Sequence, residues 1–195
     1  MPTKATIRQP FGTDAVAPLV PLTAVNVGTV ATATGLSVVE QGDAINHKTV
    51  LTLTDFAVGS AVGAADLAFG ALLYTLPAGA QLMEATYFSL AITGTTTIVG
   101  DTPEIGIGSV IGSGAVAVLS TTFEDYVLGS PASAAISGAT PLVKMTGITA
   151  GAVTGIALNV AASAKTIYLN CADGWAGAGD VTATGTVHLV WKQMS

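Results

Sequence analysis

The residues whose types could support catalysis or metal binding are few and far apart in this chain. His47 and His188 are its two histidines, and they do not have the spacing that one helix face gives a zinc site. Neither a Gly-x-Ser-x-Gly motif nor a Gly-Lys-Ser/Thr motif occurs, so a nucleophile elbow and a phosphate loop have no anchor. We therefore predict no enzyme activity and no cofactor, and we expect both histidines at the surface or in an interface.

A glycine-rich run from Gly106 to Gly112 contains the residue types of a dinucleotide-binding loop. Such a loop lies between a strand and a helix, because the first amides of the helix bind the phosphate. Here the segment 115–119 follows, and its small and branched residues predict a strand instead. We therefore do not expect a nucleotide site at this run.

Three further features carry chemically useful groups. Glu124–Asp125 and the loop from Asp173 to Asp180 are the best carboxylate groupings, but Asp and Gly are also typical of turns, so we predict no metal site. Cys171 falls on the inward side of a predicted strand, where we expect it to pack as a small hydrophobic residue. Trp175 is expected to close the open end of a β-sandwich, and the alternative is an exposed ring that contacts a sugar or a protein partner.

The elements that must position these residues are predicted to be β-strands. Apolar and polar residues alternate over 181–192, 166–171, 156–161 and 87–93, which is typical of half-buried strands. Turn signals separate such runs at intervals of about 10 to 20 residues, a spacing that suits sandwiches and barrels. We predict an all-β fold, a jelly-roll-like β-sandwich over residues 41–195.

Residues 1–40 differ from the rest because four prolines interrupt them, at positions 2, 10, 18 and 21. Proline fixes the backbone and lacks an N–H donor, so this stretch is kept extended. We predict an extended N-terminal arm over residues 1–40 that lies across a neighbouring subunit or along the domain. The large apolar side chains expected to anchor it on a partner are Phe11, Leu19, Val20 and Leu22.

The composition is poor in charge. Only 9% of the 195 residues are charged, the formal net charge is −6, and 50% of the residues are hydrophobic. A typical soluble domain is about 25% charged, so we expect other subunits to cover part of the surface; the alternative is a monomer with a threonine-rich surface. Six cations are too few for a nucleic-acid backbone. The early prolines and the glycine-interrupted run 145–164 also argue against a signal peptide and a membrane span.

The composition, the proline-rich arm and the terminal strand Gly179–Lys192 together resemble small virion proteins of tailed bacteriophages. The segment Leu76–Leu82, which leads into a long strand, is similar as well. The nearest group is the head decoration, or cement, proteins, whose β-rich domains bind the outside of the capsid, often as trimers. The resemblance implies a structural protein made in the host cytoplasm and located on the capsid exterior. Its implied partners are the major capsid protein and its own copies as a homotrimer, without nucleic acid, membrane or catalytic residues.

Two other functions remain open from the sequence. The first is a tail, collar or fibre component of the virion, which would be present in few copies at the portal or tail. The second is a carbohydrate-binding β-sandwich module for adhesion, which Trp175 and the carboxylate-containing loops would serve.

Overall fold

The protein is built almost entirely of β-strands. The computed structural model describes residues 28–82, 86–94, 98–100, 103–131, 136–137, 145–148 and 164–193. Within these ranges the helical segments are two 3-10 turns, Gly63–Ala65 and Thr121–Phe123. The strands, in chain order, are β1 (Thr29–Val30), β2 (Leu36–Gly42), β3 (Asn46–Ala61), β4 (Ala68–Leu76), β5 (Ala80–Leu82), β6 (Tyr87–Gly94), β7 (Val99–Gly100), β8 (Glu104–Gly108), β9 (Val127–Pro131), β10 (Ile136–Ser137), β11 (Met145–Ile148), β12 (Lys165–Ala172) and β13 (Gly179–Gln193).

The strands form two antiparallel sheets that pack together as a sandwich. The first sheet has the order β2-β3-β13-β6-β11, and β5 also pairs with β13. The second sheet has the order β1-β4-β12-β8-β9, while β7 and β10 form a separate pair. The two sheets share one hydrophobic core, to which the first contributes Leu53, Phe88 and Trp191 and the second Leu73 and Ile107.

The strand order is that of a jelly roll. Eight of the strands form the jelly roll: β3, β4, β6, β8, β9, β11, β12 and β13. When these eight are numbered in chain order, the first pairs with the eighth and the second with the seventh. The third strand then flanks the eighth and the fourth flanks the seventh, while the sixth and fifth lie beyond them. This order wraps the chain into two Greek keys across two sheets. The predicted all-β, jelly-roll-like sandwich is confirmed.

The last strand occupies the centre of the first sheet, between β3 and β6. Its inward side chains are fully buried, as the alternation of the sequence predicts: Val181, Ala183, Val187, Leu189 and Trp191. Gly185 interrupts this apolar series because its φ is 141° and a Cβ there would lie 2.2 Å from the carbonyl oxygen of Ser89. The neighbouring strand therefore approaches more closely at this point than a side chain would allow.

Part of the predicted N-terminal arm belongs to the sandwich. β1 pairs with β4 at the edge of the second sheet, and β2 pairs with β3 at the edge of the first. β2 runs through residue 40, where the sequence analysis places the boundary between arm and domain. Residues 28–40 thus include edge strands of both sheets, β1 and most of β2, and the remainder of the predicted arm lies outside the described residues.

A loop covers the outer face of the second sheet. Asn170 lies on the outward side of β12, yet it is fully buried because the segment between β8 and β9 folds over it. Its side-chain oxygen accepts the N–H of Gly112 at 2.8 Å. Its amide nitrogen donates to the carbonyl oxygens of Val110 at 2.9 Å and Phe123 at 2.6 Å. One side chain thereby attaches both ends of this loop to the sheet.

The predicted strand over residues 115–119 is wrong, because this segment is part of the covering loop. The side chain of Leu119 packs with Ala68 and Ala172, and its N–H donates to the carboxylate of Glu104 at 2.8 Å. The neighbouring glycine-rich run lies beneath the same loop. A Cβ at Gly108 would lie 2.3 Å from the carbonyl oxygen of Thr122, so the run permits close packing.

Candidate functional site

A row of four side chains crosses the outer face of the first sheet. Val39 on β2 pairs with Val50 on β3, Val50 pairs with His188 on β13, and His188 pairs with Tyr87 on β6. All four point away from the core, because the residues on either side of them in each strand point inward. Val39 is 57% exposed and Tyr87 38%, while Val50 and His188 are half-buried. We call these four residues the outer row.

The aromatic half of the outer row is a stacked pair. The ring centroids of Tyr87 and His188 are 4.4 Å apart, and the ring planes differ by 8°. Partial burial, together with the nearby positive charge of Lys48, lowers the pKa of His188 below its usual value. The imidazole is therefore neutral at pH 7, and the whole row is uncharged at that pH. The Nδ1 atom of His188 is buried and has no hydrogen-bond partner among the described residues.

Polar residues border the outer row on both sides. The next register along the strands carries only hydroxyl side chains: Ser37, Thr52, Thr186 and Ser89. On the opposite side Gln41, Lys48 and Val190 share a register, and with the adjacent hairpin they line a cavity of about 270 Å³. The face is thus an uncharged band between a hydroxyl band and a shallow cavity.

The charges of this face are separated between its two ends. Lys48 and Lys192 lie at the end where β13 finishes and β3 begins. Asp55 and Asp180 lie toward the opposite end, where Asp55 receives a hydrogen bond from the hydroxyl of Thr184 at 3.4 Å. The strands of this face therefore have a basic end and an acidic end, while the carboxylate of Asp43, in the turn before β3, accepts the N–H groups of Ile45 and Asn46 near the basic end.

Trp175 is buried, contrary to the sequence-based alternative of an exposed ring. Only 5% of it is exposed, and its Nε1–H donates to the carbonyl oxygen of Leu67 at 2.9 Å. The ring also packs on Phe69, with centroids 5.7 Å apart. Because both the apolar ring and its polar N–H are satisfied within the fold, Trp175 offers no contact surface for a partner.

His47 is also buried, whereas the sequence analysis expects it at the surface or in an interface. It is 2% exposed and stacks on Trp191, with ring centroids 3.8 Å apart. Its Nδ1 is 3.1 Å from the carboxylate of Glu40, which also accepts a hydrogen bond from the hydroxyl of Tyr74. Burial raises the pKa of Tyr74. These groups connect the two sheets across one end of the sandwich. His188, by contrast, lies on the outer face as expected.

The buried hydroxyl of Tyr74 also holds the first described residue, since it accepts the N–H of Gly28 at 2.9 Å. The predicted anchor residues Phe11, Leu19, Val20 and Leu22 lie outside the described residues, so their role stays a prediction.

The carboxylates singled out from the sequence bind backbone and hydroxyl groups. Asp125 accepts the N–H and the hydroxyl of Ser109 at 2.7 and 2.8 Å, and burial raises its pKa. Asp173 accepts the N–H of Gly174, and Asp180 accepts the hydroxyl of Ser60. Within the described ranges no three His, Cys, Asp or Glu side chains are grouped so that they could hold a metal ion.

Cys171 is fully buried, as its inward position predicts. Burial raises the pKa of its thiol, so the reactive thiolate does not form at neutral pH.

The outer row is the site that the sequence analysis did not predict. Three outward positions of the last strand are Thr, at 182, 184 and 186, while His188 and Val190 follow them, and Tyr87 is outward on another strand. These signals are visible in the sequence, but only the register between β2, β3, β13 and β6 places them side by side.

Comparison with known proteins adds no family or activity. No protein-family model matches the sequence, and no curated protein matches it. Among solved structures, an arabinose-bound α-L-arabinofuranosidase is similar with a TM-score of 0.33 and 9% identity. The alignment covers 83% of this chain but only 22% of that enzyme, and a likeness this weak carries no argument. Among the described residues, no helix is long and apolar enough to cross a membrane.

Proposed function

We propose that this protein is a structural component of a tailed-bacteriophage virion that binds the outer shell of the capsid as a homo-oligomer. The observation that carries the proposal is the partly exposed, uncharged outer row on a sheet face whose described lysines and aspartates lie toward its ends. Long charged side chains on a surface keep proteins apart, and the four residues of the outer row include none. The partners are further copies of the chain and the major capsid protein.

The physical demands on a capsid-stabilising protein suit these features. Such a protein acts through contact area repeated many times over a lattice, so each contact can be modest. A jelly roll with a continuous core supplies a rigid surface for those contacts. A net charge of −6 also keeps the protein from being drawn to packaged DNA.

The carbohydrate-binding alternative loses its main support because Trp175 is buried and bonded to Leu67. The tail, collar or fibre alternative differs from decoration only in location and copy number. A measurement of both on the particle therefore decides between the two virion roles.

Purified phage particles should be examined by quantitative mass spectrometry and by immunogold labelling with an antibody against this protein. Decoration predicts many copies per particle, with label over the head. Label confined to the portal or tail, in few copies, would replace decoration by the alternative role. Particles that lack the protein altogether would refute both.

The predicted arm is tested by adding recombinant protein to undecorated particles and sedimenting them. Deletion of residues 1–24 should abolish attachment and leave the sandwich folded, since the described contacts begin at Gly28. In the full chain, Leu19→Asp with Leu22→Asp should have the same effect. Circular dichroism and the unfolding midpoint serve as the control for folding. Full decoration by the truncated protein would contradict the role of the arm.

A further inference from the structure

The two outer faces of the sandwich are covered differently. The second sheet is covered by the loop that Asn170 holds in place. Over the first sheet, no described segment makes a comparable cover, and Val39 and Tyr87 remain exposed. Neighbouring strands lie about 4.8 Å apart, so the four residues of the outer row span roughly 14 Å across the sheet. The row is an uncharged band on a sheet face, and sheet faces of this kind can pack against a second sheet.

The charges of the face indicate what covers it and in which orientation. If a second copy packs with its strands parallel to the first, Lys48 and Lys192 face the same lysines, and the acidic ends also face each other. If its strands run antiparallel, each basic end faces an acidic end. The antiparallel arrangement brings the lysines of these strands opposite the aspartates, and it is self-complementary, as a twofold interface requires.

We propose that the outer face of the first sheet is the interface between two copies of this chain, packed face to face with antiparallel strands about a twofold axis along the outer row. The inference deepens the proposed assembly function by naming the surface through which copies associate. The axis places each residue of the outer row opposite its own counterpart. Lys192, four residues after His188, then lies opposite Thr184, and Thr184 is hydrogen-bonded to Asp55. Lys192 of each copy thus reaches Asp55 of the other.

The pairing is also favoured by what the centre of the face contains. The hydroxyl register of Ser37, Thr52, Thr186 and Ser89 would face the register of Gln41, Lys48 and Val190 in the second copy. Hydroxyl groups can both donate and accept, so they can form hydrogen bonds with an amide and an ammonium group. The interface therefore combines an apolar centre with polar partners on either side of it.

The first test is the mass of the full-length protein by sedimentation velocity over a range of concentrations. Wild type should be a dimer, and Val39→Asp should weaken association by at least about a hundredfold, because two carboxylates would face each other across the axis. Val118→Asp is the matched control, since Val118 is 67% exposed but lies in the loop over the other sheet. Val39→Thr, which keeps the side-chain shape, serves if the aspartate variant does not fold. Lys192→Glu should weaken the dimer and reduce its sensitivity to salt.

The second test locates the contact by cross-linking. Packed sheets lie about 10 Å apart, so a short bifunctional maleimide should join Val39→Cys to the same residue of the second copy. Val118→Cys should not cross-link, and neither should wild type, because Cys171 is fully buried.

Each outcome of these tests decides the inference. A dimer that Val39→Asp disrupts and that cross-links at position 39 supports it. Three results would overturn it. They are a monomer at all concentrations, a trimer that cross-links at position 118, and a Val39→Cys thiol that residues 1–27 shield within a monomer. A dimer of the expected kind that is absent from phage particles would leave the interface standing and remove the proposed virion function alone.

Discussion

Replacing Asn170 by alanine should destabilise the protein strongly although it removes only one short side chain. The side chain makes three buried hydrogen bonds, to the N–H of Gly112 and to the carbonyl oxygens of Val110 and Phe123. A buried hydrogen bond contributes about 1 kcal/mol net, and each backbone group left without a partner costs about 1 to 3 kcal/mol. We therefore expect the free energy of unfolding to fall by about 3 to 5 kcal/mol for Asn170→Ala, a large share of the total for a domain of this size.

Equilibrium urea unfolding, followed by tryptophan fluorescence, measures this loss, and hydrogen exchange at the Gly112 amide localises it. Asn46→Ala is the matched control, because the amide of Asn46 is exposed and binds only the Asp43 carboxylate. The control should change stability by less than about 1 kcal/mol. A loss below about 1 kcal/mol for Asn170→Ala, with unchanged protection of the Gly112 amide, would refute the view that this side chain holds the loop on the sheet.

Three further predictions concern single positions. Gly108→Ala should lower the unfolding midpoint in a thermal scan, because its Cβ would lie 2.3 Å from the carbonyl oxygen of Thr122; an unchanged midpoint would show that the loop can move aside. Trp175→Phe should lower the free energy of unfolding by about 1 kcal/mol in urea, since it removes one of two hydrogen bonds to the carbonyl oxygen of Leu67, which also accepts the N–H of Asp173; a neutral result would contradict the bond. NMR titration should give Asp43 a pKa of about 2, because backbone N–H groups stabilise its carboxylate. As this folded-state pKa is depressed, the stability that the carboxylate contributes is present above pH 3.8 and is lost as the pH falls toward 2. A titration near 3.8 would refute that arrangement.

The strands of the fold could be predicted because their signal is local. An alternation of period two is written in consecutive residues, and β6, β12 and β13 follow it closely. The segment 115–119 has the same residue types and still forms a loop. Its backbone finds a partner in the side chain of Glu104, and no property of the segment itself reveals that partner. Local pattern thus predicts a strand only where a neighbouring strand is available to pair with it.

The candidate site could not be predicted, because it depends on contacts between residues distant in the sequence. Val39 and Tyr87 belong to one row only through Val50 and His188, which lie on the two strands between them. A shift of one residue in any of these pairings would turn that strand's contribution toward the core. The burial of His47 is of the same kind, since Glu40 and Trp191 reach it from two different strands.

The contrast between the two outer faces is a consequence of where the polar side chains lie. On the second sheet, Asn170 supplies an amide that binds a loop from the same chain, and that face is closed. On the first sheet, no segment within the described ranges is held over the outer row in this way, and the Nδ1 atom of His188 has no hydrogen-bond partner there. If this face had only to remain in water, charged residues at its centre would keep it soluble at little cost to folding. The lysines and aspartates lie toward its ends instead, where they do not prevent association and can select the orientation of a second copy. The pattern fits the face-to-face contact between two copies that we propose for this surface.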